Sequence, residues 1–279
     1  MKCYLDTNAV RQISKIKFFN EYSIFTSALS IFEIISGINT EKEYIKRKNI
    51  LHAIEKSDLT ILWELPRLTV IKSFNLPFNE TDTEATKIMM NKIISSSDYN
   101  DMLKIRFNLG GEDYTIETFH SHDEDINKIT FDTINNAIQN TTPIERKKLR
   151  DIDLDPSLIQ LNKEILIRNF LMNNLNTNSV DNPYYLKAVE TYFQNQQLDN
   201  FFILAILLPN KSLAEGLNAG SNDGMDYQHL VFTHNIDYFV SDDKFYKRIP
   251  NNINEYLDFN FISFSDFYSE LNSKSNKTS

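Results

Sequence analysis

Two short apolar runs in this 279-residue chain end in carboxylates. Tyr4-Leu5 runs into Asp6, and Tyr238-Phe239-Val240 runs through Ser241 and Asp242 into Asp243. An acid where a strand leaves an open α/β sheet sits at the carboxyl edge, where such sheets bind ligands. Parallel strands put like ends together, so both acids would share that edge. Glu33 falls in the first turns of a helix. At about 100° per residue it lies nearly opposite the stripe Ile31, Ile34, Ile35 and Ile38. Asp226 opens a later helix and shares a face with His229, Leu230 and Thr233; Asp223, just before it, competes for the same place. Each acid has an ordinary alternative: a helix cap for Asp6 and Asp243, a solvated face for Glu33, a dipole-favoured first turn for Asp226. Converging carboxylates would repel and be costly to bury. Bound divalent cations relieve both costs, and oxygen-only ligands suit Mg2+ or Mn2+ rather than Zn2+. One or two such ions activate water and offset charge in phosphoryl transfer.

The elements that would hold these acids alternate at both ends of the chain. Lys2 to Leu5 reads as a buried strand, with Thr7 and Asn8 as turn and cap residues. Val10, Ile13 and Ile16 give Ala9 to Phe19 near-helical spacing. Tyr22 to Thr26 is a second strand, and Ser27 to Ser30 turns into the helix of Glu33. Glu41 to Ser57 is an amphipathic helix, and Leu59 to Leu62 is either a short strand or that helix's tail. In the middle, Thr83 to Ser95, Asp123 to Gln139 and Pro156 to Asn174 are the clearest helices, punctuated by Gly110-Gly111 and Pro143. Pro183 to Gln196 and Leu198 to Leu208 add two more. Met225 to Asn235 is helical, Asp237 to Ser241 is β-rich, and Phe245 to Ile249 is a short helix. Asn260 to Ile262 is a last strand and Phe264 to Leu271 a last helix. This predicts an α/β fold with a central parallel sheet between helices. The expected division is a core of 1–78 plus 200–272, an all-helical insertion over 79–199 and a polar tail at 273–279.

Composition narrows the function classes. The net charge of −9 disfavours a protein that coats nucleic acid electrostatically, though not an enzyme that meets phosphates at a local basic patch. Six glycines argue against a Gly-rich phosphate loop. No apolar run is long enough to span a membrane, and no secretory signal is apparent. The single cysteine, Cys3, excludes an internal disulfide framework and fits a reducing, cytoplasmic setting.

The acids with their neighbours resemble the PIN-domain ribonucleases, a family that includes the VapC-like toxins of toxin–antitoxin pairs. The matching pieces are Tyr4-Leu5-Asp6-Thr7-Asn8, Thr26-Ser27-Ala28-Leu29-Ser30-Ile31-Phe32-Glu33, Asp226-Tyr227-Gln228-His229-Leu230 and Asp237 to Lys244. The resemblance implies a three-layer α/β/α domain that hydrolyses single-stranded RNA through metal-activated water. It places Asp6, Glu33, Asp226 and Asp243 on the family's acidic metal positions. It makes Ser241 an added polar group near the metal and Asn8 the support of the first Asp. The match spans roughly 1–60 and 220–270, and 79–200 has no counterpart in a minimal domain. The implied partners are RNA and, as further candidates, an antitoxin or other protein, or a second copy of the chain.

Basic residues near the last motif (Lys244, Lys247, Arg248) could hold a phosphate backbone, joined by Arg11 and Lys15 from the first helix. Other features read more plainly. His120-Ser121-His122-Asp123-Glu124-Asp125 has a metal-like composition but fits a solvated helix start. His229 fits a hydrogen-bonded, partly buried site, Cys3 a core position, and Trp63 packing rather than base stacking. A haloacid-dehalogenase-like phosphatase would want a second Asp at position 8, where this chain has Asn8. A structure-specific DNA nuclease and a non-catalytic RNA- or protein-binding scaffold also fit the acids.

Overall fold

The computed structural model describes residues 1–16, 22–78, 80–151, 155–246, 249 and 256–275. Its centre is a five-stranded parallel sheet in the order β3-β2-β1-β6-β7. The strands are β1 (Lys2–Leu5), β2 (Ser23–Ser27), β3 (Thr60–Leu62), β6 (Tyr238–Val240) and β7 (Asn260–Ile262). Cys3, Tyr4 and Leu5 are fully buried, as expected of a central strand covered on both faces. The chain is therefore α/β with a parallel sheet, as expected.

Contacts divide the chain into two units. The first comprises 1–66, 79–125 and 235–279 and holds the sheet. It contains α1 (Thr7–Val10), α2 (Ala28–Ser36) and α3 (Glu41–Glu55). The second comprises 67–78 and 126–234. These boundaries fall elsewhere than the expected 79–199 insertion, because 79–125 packs with the sheet unit and 200–234 with the helical one.

In the first unit, Ile31, Ile34 and Ile35 put almost the whole of α2 into the core. The helix α4 (Pro66–Ser73) begins at the unit boundary. Beyond it, α5 (Asp82–Ser95) buries Ala85, Met89 and Ile93 and packs on α2 and α3. The short α6 (Tyr99–Met102) also meets α3. Next comes a hairpin of β4 (Phe107–Leu109) and β5 (Glu112–Tyr114). Gly110 (φ 64°) and Gly111 (φ 92°) form its two-residue turn, whose positive φ values suit glycine. The expected all-helical middle is thus corrected: β4 and β5 are strands. The long helix α7 (Ile116–Asn140) gives its first residues to this unit and the rest to the other.

The second unit is helical: α8 (Pro143–Asp151), α9 (Pro156–Asn174), α10 (Pro183–Asn195), α11 (Asp199–Glu215) and α12 (Asp223–His229). Asp155 and Asn182 cap α9 and α10 ahead of Pro156 and Pro183, which need no helical N–H partner in the first turn. Phe74, Ile167, Leu171, Tyr192, Leu198 and Phe202 form its main core, with Phe74 stacked on Tyr192 at 5.2 Å. Lys163 is buried beside that core and pairs with Asp199 at 3.2 Å; the Tyr192 hydroxyl donates to the same carboxylate.

The last helix, α13 (Phe264–Ser275), belongs to the sheet unit and runs into the expected tail. The expected helix from Ala9 is instead α1 plus a 3-10 turn at Ile13–Lys15; residues 17–21 lie outside the described residues. Among the described residues, no helix is long and apolar enough to cross a membrane.

Candidate functional site

The sheet places Asp6 and Asp243 as their local sequences suggest. Strands β1 and β6 are adjacent and parallel, with Leu5 opposite Val240, and the Asp6 backbone N–H donates to the Val240 carbonyl at 3.2 Å. Asp6 is 2% exposed. Its Oδ1 accepts the Ala9 N–H at 2.8 Å, so Asp6 itself caps α1, and Thr7 and Asn8 belong to the helix rather than to its cap. Its Oδ2 accepts the Ser241 hydroxyl. The same Ser241 oxygen accepts the Asp243 N–H at 3.0 Å. Asp243 then caps the next turn through Phe245 N–H at 2.8 Å, and its other oxygen accepts Asn8 Nδ2 at 3.1 Å. One hydroxyl and one amide, each bonding across 235 positions of chain, thus tie the two strand-end acids together.

Glu33 joins through Thr7, whose hydroxyl donates to Glu33 Oε2. It is half-buried rather than solvated. Its helix is held at both ends by unusual means. Ser27, at the N-cap, spends its hydroxyl on the Tyr4 phenol at 2.8 Å instead of capping α2. At the other end Arg47 donates to the carbonyls of Glu33 (2.8 Å), which also accepts the Gly37 N–H at 3.2 Å, and Ile34 (3.1 Å), near the helix end where carbonyls lack helical partners. Gly37 makes room for this, since a Cβ there would lie 2.1 Å from the Arg47 guanidinium.

The electrostatics show how close these groups are. Burial pushes the Tyr4 phenol well above its ordinary pKa; the Ser27 bond opposes this, and the charges of Asp6 and Glu33 add to it. Burial and then the like charge of Arg47 lower the pKa of Arg11, while Glu33 and Asp6 oppose the shift. Asp123 on α7 accepts a 3.0 Å bond from Ser36, one turn beyond Glu33. Burial raises its pKa, the Ser36 bond lowers it, and the charge of Glu33 raises it again.

Asp226 lies on α12 in the second unit and is buried, as are Asp223 and His229. Lys244 is exposed in the loop after β6, and Lys247 and Arg248 lie outside the described residues. Among the described residues no group of three or more His, Cys, Asp or Glu side chains could hold a metal ion. The oxygens of Asp6, Glu33 and Asp243 accept hydrogen bonds from Ala9, Ser241, Thr7, Phe245 and Asn8. The donor set is nevertheless all oxygen, the chemistry of a hard divalent cation, and Mg2+ commonly takes only one or two protein carboxylates beside substrate phosphates.

Several residues of this site escaped the sequence. Thr7 was legible only as a turn residue, and Asp123 lies 87 positions from its Ser36 partner. The histidine-acid run is not a solvated helix start. Its helix begins earlier, at Ile116, and His120 Nε2 lies 3.1 Å from the Ile38 carbonyl oxygen. Trp63 is half-buried, with Lys87 over its ring at 5.7 Å. Compared with known proteins, the chain matches no family model, no curated protein and no solved structure.

Proposed function

We propose that the chain is a PIN-like, three-layer α/β/α endoribonuclease that hydrolyses single-stranded RNA at the edge carrying Asp6 and Asp243. The observation that carries this reading is the Ser241 bridge between them, made where two neighbouring parallel strands end. Two acids far apart in the sequence are thereby held to one buried hydroxyl. Asp6, Glu33 and Asp243 would hold Mg2+ or Mn2+. When bound, such an ion acidifies water and offsets charge at the phosphate. The chain's own side chains supply orientation: Ser241 fixes Asp6, Asn8 fixes Asp243 and Thr7 fixes Glu33. A role for Asp226, an antitoxin or other protein partner, and a toxin or defence role belong to the same proposal.

A second reading is a PIN-like scaffold that binds RNA or protein without cutting. It is favoured by the hydrogen bonds that already occupy the three carboxylates.

The test compares wild type, Asp6→Asn and Asp243→Asn on mixed single-stranded RNA and DNA, with Mn2+ or with EDTA. The nuclease reading expects Mn2+-dependent cutting that falls about a hundredfold or more in each variant. Cutting that survives both substitutions sinks the site assignment. A wild type that binds RNA and cuts nothing supports the scaffold, and preference for DNA moves the substrate to the related DNA nucleases.

A further inference from the structure

Three cations, Arg47, Lys15 and Arg11, belong to the sheet unit near Asp6 and Glu33, and the first two are each tied to more than one group. Arg47 donates to Glu43 at 2.9 Å and to the two carbonyls that end α2. Lys15 bonds Gln12 at 2.9 Å and lies 5.9 Å from the Phe264 ring centroid. Arg11 differs. Its guanidinium has five N–H donors. Its hydrogen bond is Nη1 to Asn8 Oδ1 at 3.3 Å, a neutral acceptor, and among the described residues it forms no ion pair. Asn8 in turn donates to Asp243 at 3.1 Å. The donors left over on Arg11 thus stand one side chain away from the acidic edge.

We propose that Arg11 is the phosphate-holding residue of this site, taking the two non-bridging oxygens of one backbone phosphate of the polynucleotide with donors that Asn8 does not use. This rests on the polynucleotide reading above and names the residue that meets the chain's charge. Arg11 is half-buried, so a phosphate would meet a partly dehydrated side chain whose fork suits two parallel bonds. Burial and Arg47 weaken its hold on its proton, whereas Glu33, Asp6 and Glu43 strengthen it, and a phosphate would act in the same sense as those acids. In a chain of net charge −9, an anionic substrate needs such a local cation at the point of contact.

The test uses the full chain as wild type, Arg11→Gln and Arg11→Lys. The probe is a labelled single-stranded RNA of mixed sequence, followed by anisotropy over about 50 to 200 mM KCl, once with Ca2+ and once with EDTA. Arg11→Gln is expected to weaken binding about tenfold and to flatten the salt slope by about 0.7, the share of one phosphate on a single strand. Arg11→Lys keeps the charge and loses the fork, so it keeps the slope and recovers part of the affinity. Unchanged affinity and slope in Arg11→Gln overturn the proposal. So does a fall in thermal midpoint shared by both variants with the slope intact, which would make Arg11 a support for Asn8. If wild type cuts RNA while Arg11→Gln binds like wild type, the proposal fails and the nuclease reading stands. If wild type binds no RNA in either buffer, both fail.

Discussion

At the residue scale, the site is a set of carboxylates each held by a short polar neighbour. Ser241, Thr7 and Asn8 are small, and each reaches an acid far away in sequence. Asp6 and Asp243 were legible because each ends an apolar run. Their ties were not, since nothing local in Ser241 or Asn8 signals a bond across 235 positions. Asp123 is the sharper case. Ser36 holds it half-buried near Glu33, and both burial and that charge raise its pKa. A carboxyl that holds its proton more tightly in the folded than in the unfolded chain costs stability once it ionises. The cost appears as pH rises from the ordinary Asp value near about 3.9 through the raised folded value, and it is absent below both. Asp123→Asn keeps an acceptor for Ser36 and removes the charge. Its thermal midpoint should exceed that of wild type at neutral pH, with the gap closing as pH falls below the ordinary Asp range. A melting series across pH checks this, and a pH-independent gap would refute it.

At the element scale, the strands and the longer helices could be read because their apolar spacing carries them. Strands β1 and β7 and helix α9 run over the expected residues, and β2 and β6 differ by a residue at their ends. The hairpin could not be read so. Its strands are three residues each, too short to display alternation, and Gly110-Gly111 looked like simple punctuation. The start of α7 was missed for a related reason: Thr115 and Thr118 exchange hydroxyl and backbone bonds ahead of the acidic stretch that looked like a first turn. The hairpin matters to the unit because Tyr114 bonds Thr81 at 2.7 Å and Asp82 at 2.9 Å at the start of α5. Gly110→Ala would face positive φ and put a Cβ 2.6 Å from the Thr81 methyl, whereas Gly111 has open space around it. Gly111→Ala should therefore cost about 1 kcal/mol for its φ alone. Gly110→Ala should cost more, as measured by urea unfolding of both variants.

At the scale of the whole molecule, the two units are not sequential domains. The sheet unit takes three stretches of chain and the helical unit two. The expected insertion boundaries followed where the sequence resemblance stopped, but packing follows buried side chains, and Met89 and Ile93 of α5 are buried in the sheet unit. Deleting 79–199 should therefore abolish folding of the sheet unit as well, giving a chain without a cooperative thermal transition by circular dichroism. A cooperative, α/β-type melt of that deletion would show that α5 is dispensable. The central strand also has partners of very different reach. Cys3 pairs with Ile24 on one side and with Tyr238 on the other. On the ribosome the first neighbour follows soon after β1, and the second only after β2, β3 and the helical unit have been made. At ~5–20 residues per second, roughly 10–50 s separate the synthesis of Asp6 from that of Asp243. A nascent chain thus carries Asp6 throughout that interval, and the residue can meet Asp243 only once the turn after β6 has emerged.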